Sequence, residues 1–307
     1  MVTKHNELRG VIVPAITPLD AEERVDEAAF RRILCRLIDA GVHGLFVGGS
    51  AGEGPLLADD QWERMVSIAH DAVGGTVPLL GGAMDTSTLR VRAKMRILSD
   101  LGYRYCAVTP TYYIALRHPA EHMRLFGECV EHARGMELIA YNIPSCTGSV
   151  IPVGAAIEMV RRGWIRYVKE SSGDFDYLSG LISEGAPLGL KVLAGDEPQI
   201  AKALMVGAAG IVPVCANYEP GTFVRAYEAA CAGDEAELAR CQERIMYLRQ
   251  KLVFAGPNWI AGVKYGVASL GLGCGSPVSP LQPLTDDQKR SVEAIEPWRF
   301  DRPQRPS

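Results

Sequence analysis

Residues 27–48, EAAFRRILCRLIDAGVHGLFVG, combine two kinds of hydrophobic spacing within one short stretch. From residue 27 to residue 40 the large apolar side chains recur every three or four positions, which predicts an amphipathic helix. Gly41 follows this helix, and residues 44–48 form a short apolar run typical of a buried strand. The stretch therefore predicts one helix that leads directly into one buried strand.

The same alternation of strand and helix continues from residue 11 to residue 232. Helical crossovers require parallel strands, and strands that are apolar throughout are covered on both faces. We therefore expect an α/β fold, a (β/α)8 TIM barrel over residues 1–232, with a C-terminal helical extension over residues 233–307. An open doubly wound sheet is the alternative, although it normally divides this many strands between two domains. The predicted strands are 11–17, 44–48, 77–81, 105–109, 137–142, 165–169, 191–194 and 210–215.

The composition of the 307 residues is that of an ordinary globular protein, with 48% hydrophobic and 22% charged residues. A formal net charge of −4 provides no basic field for a polyanion, so we expect no nucleic-acid partner. We expect no membrane association, because no apolar run reaches the ~18–20 residues of a membrane helix. Residues 1–7 lack the apolar core of a signal peptide, and the 8 Cys form no C-x-x-C pair. A cytoplasmic location is therefore predicted.

A glycine-rich segment, GGSAG at residues 48–52, follows the second predicted strand. It matches the G-x-S-x-G turn of serine hydrolases, but that mechanism needs a later histidine, and the last histidine of the chain is His132. An ordinary tight turn is the other interpretation. In either case, glycines let the backbone approach a ligand closely, and successive N–H groups in this segment can bind a carboxylate.

Residues 118–122, HPAEH, fit the H-x-x-E-H zinc pattern. That pattern needs both histidines on one face of a single helix. Pro119 favours the first position of a helix, which places His118 just outside it, and no third ligand is evident. We therefore predict no metal site.

Lys169 and Tyr141 end the sixth and fifth predicted strands, at the end of a barrel where functional groups gather. A desolvated lysine loses its proton more readily, and its neutral amine can attack a carbonyl carbon to form a Schiff base. A phenol beside that amine can relay protons. The alternatives are a lysine that is exposed or paired with Glu170 or Asp174, and a buried tyrosine whose hydroxyl has only a structural partner.

Five motifs, taken together and in this order, resemble those of the dihydrodipicolinate synthase / N-acetylneuraminate lyase family of Schiff-base barrels. The resemblance extends over about residues 10–295. The motifs are GSAGE at 49–53, TPTYY at 109–113, YNIP at 141–144, VKESSG at 168–173 and GDE at 195–197.

The resemblance implies a role for each matching residue. Lys169 is expected to form the Schiff base with pyruvate or another 2-oxo acid, Tyr141 to shuttle the proton, and Ser50 to belong to the hydroxyl relay beside it. Tyr112, or alternatively Tyr113, resembles the family tyrosine that reaches into the active site of a neighbouring subunit. A homo-oligomer, usually a tetramer, is therefore implied, and the family chemistry needs no cofactor and no metal.

The resemblance also implies a pyruvate pocket and shows two departures. Gly195 and Val212 align with residues that line the pocket, and the backbone at Ser50 and Ala51 aligns with the part that holds the carboxylate. Ala51 replaces the family threonine. Cys146 stands where dihydrodipicolinate synthases carry an arginine for the carboxylate of the second substrate, and a thiol cannot replace that bidentate contact.

We therefore predict a class I lyase, either an aldolase or a dehydratase, that acts on pyruvate-derived 2-oxo acids such as 2-keto-3-deoxy sugar acids. Dihydrodipicolinate synthase and N-acetylneuraminate lyase are the alternatives within the family. A catalytically silent barrel that binds a 2-oxo acid is the alternative from another functional class.

Overall fold

The structure, a computed structural model, describes residues 7–298. In this part of the chain eight parallel strands follow one another around a closed barrel, and the last strand pairs with the first. The predicted TIM barrel is confirmed. The strands are β1 (Gly10–Pro14), β2 (Gly44–Val47), β3 (Leu79–Gly82), β4 (Tyr105–Val108), β5 (Glu137–Asn142), β6 (Ile165–Glu170), β7 (Lys191–Ala194) and β8 (Gly210–Ile211).

The strands are buried on both faces because their side chains alternate between the barrel interior and the surrounding helices. The interior cluster includes Phe46 of β2, Tyr141 of β5 and Tyr167 of β6. Lys169 follows Tyr167 by two residues, so the same alternation directs its side chain to the inside of the barrel.

Helices surround the barrel, and at some of them the residue before the helix has a side chain that accepts a backbone N–H group. Asp26 accepts the N–H of Ala29, and Asp174 accepts the N–H of Tyr177, in each case at the helix N-terminus. The helices are α1 (Glu27–Asp39), α2 (Asp59–Val73), α3 (Thr88–Leu101), α4 (Pro119–Glu131), α5 (Pro144–Thr147), α6 (Val153–Arg161), α7 (Phe175–Gly185), α8 (Ile200–Met205) and α9 (Pro220–Ala232).

The HPAEH segment at residues 118–122 begins a helix, as its proline predicts. His118 is the N-cap of α4, and its ring accepts the N–H of Ala120, while Glu121 accepts the N–H of His118. The first histidine is thus occupied as a helix cap outside the helix. Within residues 7–298, no group of three or more His, Cys, Asp or Glu side chains is arranged to hold a metal ion.

Two strands, β1 and β8, end three or more residues before the predicted position, because side chains take over their backbone hydrogen bonds. β1 ends before residue 17, where the Asn217 side chain accepts the N–H of Ile16 at 3.1 Å. β8 ends before residue 215, where the Glu197 carboxylate accepts the N–H of Cys215 at 2.7 Å. Both segments therefore leave the sheet at the C-terminal end of the barrel.

The C-terminal extension consists of α10 (Glu235–Leu252), α11 (Trp259–Ser269) and α12 (Asp286–Glu293), and α10 packs against α9. Lys264 of α11 is fully buried and donates to Glu53, in the loop after β2, at 2.5 Å. The second oxygen of Glu53 accepts the N–H of Val278 at 2.7 Å. These contacts attach the extension to the loop after β2. The division into domains after residue 232 stays a prediction.

No helix within residues 7–298 has the length and apolar character needed to cross a bilayer. Residues 1–6, which contribute to the prediction of a cytoplasmic location, lie outside the described residues. That location stays a prediction.

Candidate active site

A cavity of about 220 Å³ opens where the strands of the barrel end. The C-terminal ends of β5 and β6 and the segments after β2, β7 and β8 supply part of its lining, and α10 and α11 supply another part. The structure brings six of the predicted site residues together in this lining: Ser50, Ala51, Tyr141, Lys169, Gly195 and Val212.

Lys169 lies against two aromatic rings inside the barrel. β5 and β6 pair so that Lys169 stands beside Tyr141 in the parallel register. The Lys169 Nζ atom is 3.9 Å from the ring centroid of Tyr141 and 4.7 Å from that of Phe46. Only 4% of Lys169 is exposed, so the amine is held in place and shielded from bulk water.

Burial lowers the pKa of Lys169 to about 7, against a slight opposing effect of the Cys146 thiol. The two ring faces attract a cation, but desolvation of the ammonium group is the larger effect. Near pH 7 the amine is therefore about half unprotonated, the form that can attack a carbonyl carbon.

The carboxylates considered as ion-pair partners of Lys169 are engaged elsewhere. Glu170 accepts the side-chain amide of Asn142 at 2.7 Å and the N–H of Ser172 at 2.5 Å. Asp174 caps α7. Among residues 7–298, no carboxylate forms an ion pair with Lys169, so the structural salt bridge is not observed.

Tyr141 has two serine hydroxyls as neighbours. Burial raises the pKa of Tyr141, and hydrogen bonding from the Ser50 and Ser171 hydroxyls opposes that change. The phenol therefore keeps its proton at neutral pH and can pass it along the line of hydroxyls.

The segment that carries Ser50 and Ala51 folds back on itself. A Cβ at Gly54 would lie 2.1 Å from the carbonyl oxygen of Gly48, so only glycine permits this close approach. The neighbour of the Ser50 hydroxyl in this structure is the phenol of Tyr141, whereas a serine hydrolase needs a histidine at that place. The geometry therefore does not support the serine hydrolase interpretation.

Gly195 provides space for two of these groups. A Cβ at this position would lie 2.0 Å from the Ser171 Oγ atom and 3.3 Å from the Lys169 Cε atom. The absence of a side chain at Gly195 therefore allows Ser171 and Lys169 to occupy their positions.

Tyr112 is not brought into the cavity lining of this chain. It packs, partly buried, against the interior cluster of the barrel, and burial raises its pKa to about 12. Tyr113 differs, since 94% of it is exposed and its backbone has a φ of 76°, in the left-handed region.

Several residues of the site were not predicted from the sequence: Phe46, Ser171, Arg249, Val253 and Trp259. Ser171 follows Lys169 by two residues in the VKESSG motif, and this spacing could have indicated it. The last three residues belong to the extension or lie between its helices, and no local pattern connects them with the barrel.

Comparisons with known proteins show the family of the chain. The model of the dihydrodipicolinate synthetase family matches residues 7–296. An uncharacterized DapA-like lyase of Halobacterium salinarum is 33% identical over 94% of this chain and 92% of its own length. A 4-hydroxy-tetrahydrodipicolinate synthase of Methanothermobacter thermautotrophicus is 31% identical over 88% of this chain and 95% of its own length.

A solved structure of similar fold is that of YagE, an E. coli K12 prophage protein of the dihydrodipicolinic acid synthase family, in complex with pyruvate. It superposes with a TM-score of 0.88 and 23% identity, over 93% of this chain and 96% of its own. The family match over nearly the whole chain leads to one conclusion: the chain belongs to the dihydrodipicolinate synthetase family and is a lyase.

Proposed function

We propose that this chain is a class I lyase in which Lys169 forms a Schiff base with a pyruvate-derived 2-oxo acid. The observation that carries the proposal is the buried Lys169 amine, whose pKa is lowered to about 7 and which lies 3.9 Å from the Tyr141 ring centroid. The pyruvate bound by YagE, a protein of the same fold, supports this choice of substrate class.

In the first step the neutral Lys169 amine attacks the C2 carbonyl carbon, and a C–N bond forms. The former carbonyl oxygen receives one proton from the amine nitrogen and one from the Tyr141 phenol and leaves as water, giving a protonated imine and a Tyr141 phenolate. The backbone N–H groups at Ser50 and Ala51 are proposed to bind the C1 carboxylate.

In cleavage, the protonated imine accepts the electron pair of the C3–C4 bond. The C4 hydroxyl gives its proton to the line of hydroxyls at Tyr141 and Ser50, and an aldehyde is released. The remaining enamine is protonated at C3, and water hydrolyses the imine to pyruvate and free Lys169. A dehydratase would instead remove a proton from C3 and the hydroxyl group from C4, which together form one water and leave a C3=C4 double bond.

Dihydrodipicolinate synthase is the second candidate, because a relative 31% identical to this chain carries the corresponding synthase name. Cys146, an exposed neutral thiol in the cavity lining, argues against it, because it stands in place of the arginine expected for the second substrate. Addition of aspartate semialdehyde to pyruvate-loaded enzyme distinguishes the two candidates.

The proposal is tested by incubating the protein with pyruvate, reducing with borohydride, and measuring the mass of the intact protein and its peptides. We expect one adduct, on Lys169. Lys169→Ala should form no adduct, whereas Lys202→Ala, which changes an exposed lysine of α8, should form it normally. An unmodified mass with pyruvate and several other 2-oxo acids would contradict the proposal and favour the silent barrel.

We also propose that the protein is a homo-oligomer, a tetramer by resemblance to its family, in which Tyr113 reaches the site of a neighbouring subunit. The exposure of Tyr113 and of the adjacent Ile114, 94% and 77%, supports Tyr113 over Tyr112 for this role. Sedimentation should give more than one chain per particle. Tyr113→Ala should reduce turnover more than Tyr112→Ala, and the reverse order would reject the assignment.

A further inference from the structure

The part of the cavity that the proposed reaction does not use is lined from the C-terminal extension. Arg249 of α10, Val253 and Trp259 of α11 contribute to its lining. Among the described residues that line the cavity, Arg249 is the one arginine. It therefore brings a permanent positive charge to a cavity in which Lys169 is about half neutral near pH 7.

The position of Arg249 is fixed by the attachment of α10 to the barrel. Gln242 donates its side-chain amide to the carbonyl oxygen of Glu197 at 3.0 Å and accepts the N–H of Ala201 at 2.9 Å. Arg249 comes seven residues later in the same helix, which is close to two full turns. The helix face that is bonded to the segment after β7 is therefore the face that presents Arg249 to the cavity.

The guanidinium of Arg249 lies over an aromatic ring of the extension. Its Cζ atom lies 4.6 Å from the ring centroid of Phe254, a contact that favours the cation. A guanidinium has five N–H donors, which can bind a carboxylate in a bidentate contact. Within residues 7–298, no ion pair of Arg249 is observed.

Two carboxylates share the cavity with Arg249. Glu197 accepts the N–H of Cys215 at 2.7 Å and its thiol at 3.3 Å, so its oxygens are occupied. Burial raises the pKa of Asp196, and the positive charge of Arg249 opposes that change. Arg249 therefore acts electrostatically on a neighbouring carboxylate and lies in the lining of the cavity.

We propose that Arg249 binds a carboxylate at the far end of the substrate, so that the preferred 2-oxo acids of this enzyme are dicarboxylates. The proposal rests on the proposed function, because the near end of the substrate is held by Lys169. The arginine that synthases place after the YNxPS motif is Cys146 here, and α10 supplies a guanidinium from another part of the cavity instead.

The test uses 2-oxo acids of matched length, so that it does not depend on knowing the natural substrate. The dicarboxylates 2-oxoglutarate, 2-oxoadipate and 2-oxopimelate are compared with 2-oxopentanoate, 2-oxohexanoate and 2-oxoheptanoate. The concentration that gives half-maximal borohydride trapping on Lys169 is measured for each. We expect at least one dicarboxylate to reach half-maximal trapping at about a tenfold lower concentration than the monocarboxylate of the same length, as a charge-assisted bidentate contact provides.

Three variants complete the test. Arg249→Met should abolish the preference, measured as the ratio of the two half-maximal concentrations within each matched pair, and Arg249→Lys should keep part of it. Arg240→Met, which removes an exposed arginine of the same helix, should keep all of it. If the monocarboxylates trap as well as the dicarboxylates at every length, or if the preference survives Arg249→Met, the inference about Arg249 is overturned while the proposed Schiff base stands. A protein that traps neither pyruvate nor any longer acid refutes the Schiff base and the inference with it.

Discussion

Gly195→Ala is a small change with a specific consequence for the site. The new Cβ atom would lie 2.0 Å from the Ser171 Oγ atom, a distance that cannot persist. The hydroxyl can rotate away, but it then leaves the Tyr141 phenol with which it hydrogen-bonds. The Cβ also lies 3.1 Å from the Glu170 carbonyl oxygen and 3.3 Å from the Lys169 Cε atom, so the lysine must move by a few tenths of an ångström.

The expected magnitude follows from these contacts. Loss of one hydrogen bond costs about 0.5–1.5 kcal/mol, and 1.4 kcal/mol corresponds to about a tenfold change in rate. We therefore expect kcat for 2-oxo acid cleavage to fall about tenfold. The free energy of unfolding should fall by only about 1 kcal/mol, because the closest atom belongs to a hydroxyl that can rotate.

The assay is a double-mutant cycle of Gly195→Ala and Ser171→Ala, with kcat from steady-state kinetics and stability from urea unfolding. Ser171→Ala alone removes the hydroxyl with which the new Cβ collides. In that background Gly195→Ala should cost clearly less than it does in the wild-type protein. Equal costs in both backgrounds, or no loss of kcat at all, would refute the reasoning about this contact.

Three further predictions follow from other contacts of the structure. Tyr141→Phe keeps the ring against Lys169 but removes the hydroxyl, so turnover should fall about 100-fold or more while borohydride still traps pyruvate; normal turnover would remove Tyr141 from the proton relay. Lys264→Met leaves Glu53 buried without its ion-pair partner and should lower the free energy of unfolding, measured with urea, by about 3–5 kcal/mol. Adding Glu53→Gln should restore part of that stability, and a loss below about 1 kcal/mol in Lys264→Met would show that the pair is not needed. Iodoacetamide should inactivate the enzyme by modifying Cys146, and bound pyruvate should slow this inactivation. The Cys146→Ser variant should resist inactivation, and equal inactivation of the variant would show that the reactive thiol is a different cysteine.

The sequence was sufficient for the barrel because each strand and helix has its own local pattern. The strands 137–142 and 191–194 begin and end as predicted, since apolar runs, proline and glycine mark their limits. The ends of β1 and β8 were predicted too late. Side chains of Asn217 and Glu197 accept the backbone N–H groups there, and such contacts between distant residues leave no local signal.

The residues of the active site could likewise be predicted only where a local pattern indicates them. Lys169 and Tyr141 could be predicted as neighbours because adjacent parallel strands end at the same side of a barrel. Phe46 lies within the stretch that predicts the fold, but which of its apolar residues contacts the lysine depends on strand tilt and register. Arg249 reaches the cavity only through the packing of α10 on the barrel, which no pattern within the helix encodes.

The most direct test of the proposed mechanism measures the protonation state of the Lys169 amine, through the pH dependence of borohydride trapping with pyruvate. Since only the free amine attacks, the initial rate of adduct formation should rise with pH and reach half its maximum near pH 7. A half-maximum near 10.5, the ordinary value for lysine, or an adduct on a different lysine would contradict a desolvated nucleophile at this position.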